Sequence, residues 1–222
     1  SGKTAVYTFG RFNPPTIGHE KLLRVVDTTS SKEGGDYFVY TSHSQDSKKN
    51  PLSHKQTINF LKLIFSKHRS HIEDSKALTA LHAASDIYDK GGYTKLMMVV
   101  GSDRVRDFSA LLNRYNDKKS KHGYYKFDSI EVISAGERDP DAEGAEGMSA
   151  SKMRQAVVDS DYGVFQMGLP AGTSDSISKN LYSAVAKGMG LNIDELTLPS
   201  SKLKSLKKIK VKTVKAIIGV RG

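Results

Sequence analysis

The chain of 222 residues has no cysteine. Disulfides, thiolate metal sites and cysteine nucleophiles are therefore excluded, and a cytoplasmic location is expected. Long apolar runs are missing too. None approaches the ~20 residues that a membrane-spanning helix needs, and the first residues hold no apolar core of a secretory signal, so no membrane partner is expected. Charge is unevenly spread: residues 199–222 carry seven lysines and Arg221 with no aspartate or glutamate, which is +8 of the chain's formal +10. The remaining residues carry only +2, so any affinity for nucleic acid is expected from this tail.

What is present is alternation. Thr4–Phe9 (TAVYTF), Asp36–Thr41 (DYFVYT), Lys95–Val100 (KLMMVV) and Ser129–Ser134 (SIEVIS) read as strands, with a weak further strand near His71–Ile72. Between them, Gly18–Val26, a run with Ile58, Leu61, Ile64 and Phe65 capped at Ser53, Ala77–Tyr88 and Asp103–Tyr115 have helical spacing. Gly91-Gly92 ends the third of these helices. Gly136–Gly147, with five acids, one proline and three glycines, reads as a loop. A helix follows it, and another runs from Ser176 to Leu191 after the loop Gly168–Thr173. Strands joined through helices favour a parallel sheet covered on both faces. The predicted fold is thus α/β and Rossmann-like, with a short C-terminal helical and basic extension. We divide it into 1–160, a helical extension 161–198 and the tail 199–222. Such a fold takes its ligands at the carboxyl ends of the strands.

Two stretches at those ends suit phosphate. The first is GRFNPPTIGHEKLL, residues 10–23. Gly10 permits a sharp turn after the strand, Pro14 and Pro15 stiffen the loop, and Gly18 allows an anion to approach the N–H groups of the helix start, with His19 in the first turn. The second is EGMSASKMRQAV, residues 146–157, where Gly147, Ser149 and Ser151 offer N–H groups and hydroxyls and Lys152 and Arg154 offer cations. Each has a plainer reading, a strand-to-helix turn in one case and a serine-capped helix in the other. Gly2-Lys3-Thr4 ends like a phosphate-binding loop but lacks the earlier glycine and the preceding strand.

Taken together the stretches resemble the nucleotidyltransferase superfamily, whose signatures are a (H/T)xGH motif after the first strand and an ISTSxxR-type motif opening a late helix. Thr16-Ile17-Gly18-His19 is similar to the first, and Met148-Ser149-Ala150-Ser151-Lys152-Met153-Arg154 to the second, with Met for Ile and Ala for Thr. Val99-Val100-Gly101-Ser102-Asp103 is similar to the G-x-D segment that ends the family's fourth strand. The resemblance covers residues 4 to about 158.

It implies in-line transfer of a nucleotidyl group from a nucleoside triphosphate to a phosphorylated acceptor, with release of pyrophosphate and no covalent enzyme intermediate. On that implication His19 donates to the α-phosphate with help from Thr16, Arg154 with Ser149 and Ser151 holds the β- and γ-phosphates, and Asp103, after Gly101, lies by the nucleoside. Mg²⁺ is expected on phosphate oxygens, with no metal ligand of the chain. The Gly10-Arg11-Phe12 opening is similar to nicotinamide mononucleotide adenylyltransferases of the archaeal type, whereas threonine at 16 is like phosphopantetheine adenylyltransferases. ATP is thus the expected nucleotide, with Gly10, Arg11, Phe12 and Gly18 in its binding. His43, Lys48 and Lys49, in the loop after the second strand, are the candidates for the acceptor; a solvated charged loop is the plainer reading.

Three alternatives stay open. Cytidylyltransferases of the same superfamily usually have histidine at position 16 and a basic lead into the second motif, where this chain is acidic. Class I aminoacyl-tRNA synthetases share the fold and comparable motifs, but this chain has no room for their additional domains. A non-catalytic nucleotide-fold protein could use the lysine tail on nucleic acid. The tail could equally be a solvated extension or a contact in a homo-oligomer.

Overall fold

The computed structural model describes residues 2–136 and 147–192. A four-stranded parallel sheet forms its centre, built from β1 (Lys3–Gly10), β2 (Asp36–Thr41), β3 (Tyr93–Val100) and β4 (Ser129–Ser134), in the order β2-β1-β3-β4. Strand residues alternate between two apolar layers. Ala5, Tyr7, Phe38, Tyr40, Leu96, Met98 and Val100 face one side, where α3 (Ala80–Lys90) and α4 (Val105–Arg114) pack through residues such as Ala84, Ile87 and Leu112. Val6, Tyr37, Val39, Met97 and Val99 face the other, under α1 (Ile17–Lys32) and α2 (His54–Ile64) with Leu23, Val26, Ile58 and Leu61. Because both faces are covered, the central runs Ala5–Tyr7, Tyr37–Tyr40 and Leu96–Val100 are apolar at every position, whereas the edge strand β4 keeps Ser129 and Glu131 exposed. The protein has the expected α/β, Rossmann-like architecture.

A third cluster joins α5 (Ala150–Val158), α6 (Tyr162–Met167) and α7 (Asp175–Gly188) around Met153, Val157, Phe165, Leu181 and Val185. Leu52 is buried within it, and Phe60 and Ile64 of α2 pack against it. The helices after residue 160 are therefore tied to the sheet domain. Gly168 accepts a hydrogen bond from the N–H of Ile17, at the first residue of α1.

Several expectations need correction. His71–Ile72 is no strand: Ser66–His71 forms a 3₁₀ helix, and only an isolated parallel bridge joins Ile72 to Val39. Two apolar-flanked residues followed by Glu73 and Asp74 are too short a run to extend the sheet. The third α-helix starts at Ala80 rather than Ala77, because the Thr79 side chain caps it by accepting from the N–H of His82. A 3₁₀ turn, Ser102–Arg104, precedes α4, and α6 was not foreseen. Lys3 and Thr4 lie in β1, which agrees with reading Gly2-Lys3-Thr4 as no phosphate loop. Residues 137–146 of the acidic loop, 193–198 and the basic tail 199–222 lie outside the described residues. Among the described residues no helix is long and apolar enough to cross a membrane.

Candidate functional site

From β1 the chain runs outward to β2 and then crosses back over β1 to β3 and on to β4, so the sheet order reverses at β1. In open α/β sheets ligands bind in the crevice at such a reversal, beyond the carboxyl ends of the strands. A cavity of about 360 Å³ opens there. The segment leaving β1 supplies Arg11, Phe12, Asn13 and His19; the start of α5 supplies Ser149, Ala150, Ser151 and Arg154; the loop after β2 supplies Lys49. The two motifs, remote in sequence, thus share one cavity. Among the described residues its lining has three basic side chains and a histidine and no carboxylate. Such a surface suits a polyanion.

His19 owes its orientation to the start of its own helix. Thr16, at the N-cap, donates its backbone N–H to His19 Nδ1 at 2.9 Å, and its hydroxyl lies 3.3 Å from the same nitrogen. A nitrogen that accepts an N–H carries no proton itself, so the ring proton of this tautomer is on Nε2. Phe12 supports the ring edge-on, with centroids 4.7 Å apart. Thr16 is buried and sits behind the imidazole, not at the cavity wall. Gly10 also lies behind the wall: a Cβ there would stand 3.0 Å from the Phe12 ring. Gly18 differs. It is exposed, and an added Cβ would meet only Thr16 Oγ1, at 3.4 Å. Nothing inside the described chain requires glycine at this position.

At the other wall, Ser149 caps α5 by accepting from the N–H of Lys152 at 3.1 Å. Arg154 is half-buried and donates to the carbonyl of Asn13 at 2.8 Å. Burial pushes its guanidinium below the ordinary value and Arg11 adds to this, while the Asp46 carboxylate pulls the other way. Arginine stays cationic under such shifts. Lys152 is exposed and is not part of the cavity lining.

The loop after β2 is knotted by Asp46. Its carboxylate accepts the backbone N–H groups of Lys48 at 2.8 Å and Lys49 at 2.7 Å, and the side-chain amide of Asn50 at 2.7 Å. These bonds, led by that from Lys49, hold the carboxyl well below the usual carboxylate range. Of the three acceptor candidates only Lys49 reaches the cavity. Lys48 is exposed elsewhere on the knot. His43 is turned away: its Nε2 donates to the Ser75 carbonyl at 2.7 Å and its ring stacks on His54 at 3.6 Å. Gly101 and Asp103 lie at the carboxyl end of β3, exposed, and outside the lining. Asn13 is the contributor that the motif reading missed. The signal for it was an asparagine before a proline pair, a residue whose side chain readily bonds backbone.

No protein-family model matches the chain, and no curated protein matches it.

Proposed function

We propose that the protein is a nucleotidyltransferase that moves an adenylyl group from ATP to a small phosphorylated acceptor and releases pyrophosphate. The observation that carries this reading is the meeting of His19 with Arg154, Ser149 and Ser151 in one cationic cavity at the sheet reversal. In the reaction an acceptor phosphate oxygen attacks the α-phosphorus. The bridging bond to the β-phosphate breaks, and its electron pair leaves with pyrophosphate. Nε2–H of His19 donates to a non-bridging α-oxygen as charge gathers there, and Arg154, with the N–H groups at the start of α5, holds the leaving group. Arg11 and Lys49 are cations left for the acceptor phosphate.

Mg²⁺ fits this site as a companion of the nucleotide. Among the described residues the lining offers hydroxyls and cations but no carboxylate, and Asp46 is already committed to three donors. The ion would therefore arrive on the phosphate oxygens, where it neutralises charge. Gly18 supports the reading from another side, because nothing among the described residues needs a glycine at that point. The experiment is a panel of the four common nucleoside triphosphates against nicotinamide mononucleotide, phosphopantetheine and simple phosphorylated acceptors. Pyrophosphate release with ATP and one acceptor is the expected result, CTP in its place would select the cytidylyl alternative, and release with no pair would refute the proposal.

A further inference from the structure

Asn13 is nearly fully buried, at 4 % exposure, between the two walls of the cavity. Its side-chain amide makes a reciprocal pair with the backbone of Leu52: Nδ2 donates to the Leu52 carbonyl at 3.1 Å, and the Leu52 N–H donates to Oδ1 at 2.8 Å. Its own carbonyl accepts from Arg154 at 2.8 Å. One residue thus ties together segments 39 and 141 positions away.

Each tie bears on a cation. Leu52 is fully buried beside Met148 and Met153, the residues that seat the start of α5, and it closes the loop whose Asp46 knot presents Lys49. The carbonyl of Asn13 fixes Arg154. Phe12, just before it, has a φ of +47°, a left-handed backbone that an aromatic residue adopts only when its surroundings hold it there. Asparagine is suited to this position because one short planar group supplies both a donor and an acceptor. Aspartate lacks the donor and alanine lacks both.

We infer that Asn13 is a positioning residue: its side-chain pair with Leu52 holds the backbone so that its carbonyl fixes Arg154 on the cavity wall, where that cation accepts a polyphosphate chain. Its place in catalysis rests on the function proposed above, but its effect on binding does not.

The test is calorimetric titration of the full-length protein with inorganic tripolyphosphate, for the wild type and Asn13→Ala, each with and without Arg154→Ala. We expect Asn13→Ala to weaken binding by ~10-fold or more alone, and by about threefold or less when Arg154 is already gone, because a residue that acts through a cation loses its effect with it. Asn13→Ser, short and neutral, also lacks the paired amide, and the same comparison applies to it if Asn13→Ala does not fold. Affinity within about twofold of wild type in a folded Asn13 variant, or a loss undiminished in the Arg154→Ala background, would overturn the inference, since a merely structural role predicts additivity. So would a wild type that does not bind tripolyphosphate. A wild type that binds it with the expected coupling, yet releases no pyrophosphate from any nucleotide, supports this inference and refutes the proposed function.

Discussion

Because Thr16 donates to Nδ1, His19 meets the cavity with a fixed Nε2 donor, and its contribution should be felt in the transition state more than in the bound ground state. His19→Ala is expected to lower turnover by roughly 100-fold or more and to leave nucleotide affinity within about threefold, as measured by steady-state kinetics and equilibrium binding. Turnover near that of the wild type would contradict the role. Gly18→Ala isolates the cavity from the fold. An alanine in a helix is generally at least as stable as a glycine, and among the described residues the only neighbour of the new Cβ is Thr16 Oγ1, so the melting temperature should hold or rise. Triphosphate affinity should nevertheless fall by ~10-fold or more if the helix start receives phosphate. An unchanged affinity would mean that the ligand does not approach there. The residues of this wall were legible in the sequence because a short motif fixes their spacing along one turn. Asn13 was not, since its partner is Leu52, and the turning of His43 away from the cavity was not, since the Ser75 carbonyl that accepts its N–H lies 32 positions downstream.

Elements were legible where composition and boundaries agree. Asp36–Thr41 and Ser129–Ser134 were expected at the bounds they occupy, being short β-rich runs between polar turns. The segment 66–72 was not, because its structure is set by tertiary contacts of histidines. His68 is buried, with Nδ1 2.8 Å from the Tyr37 hydroxyl, and His71 stacks on the same ring at 3.6 Å. Burial lowers the pKa of His68; Asp27 opposes this, Lys67 and His71 add to it, and Glu20 opposes. The unfolded chain then takes up a proton near pH ~6.5 and the folded one only at lower pH. Between those values the unfolded state holds more protons, so this group's contribution to stability is lost as the pH falls below about 6.5. Denaturant titrations at neutral and mildly acidic pH should show the wild type losing stability on acidification, and His68→Gln, which cannot titrate, losing less. Equal losses would show that His68 is not responsible.

At the scale of the whole molecule, alternation of strands and helices was enough to foresee a parallel sheet covered on both faces, since parallel strands need crossovers. What it could not foresee was the third cluster, in which α6 and α7 brace the start of α1 and the loop before α2, because that depends on which apolar faces meet. Both phosphate motifs, and every described residue that lines the cavity, lie before residue 160. Deletion of 199–222 should therefore leave pyrophosphate release largely intact while removing any nucleic-acid binding and its dependence on salt. A truncated protein with a cooperative thermal transition but no transferase activity would tie the tail to the chemistry.

The fate of each phosphate tests the central claim most directly. With ATP labelled in turn at the α- and γ-phosphorus and the acceptor selected by the panel, the account predicts that α-label appears in the acceptor product and γ-label in pyrophosphate, in equal amounts. γ-Label released as orthophosphate, or transferred to the acceptor, would mean cleavage at a different bond and would contradict it.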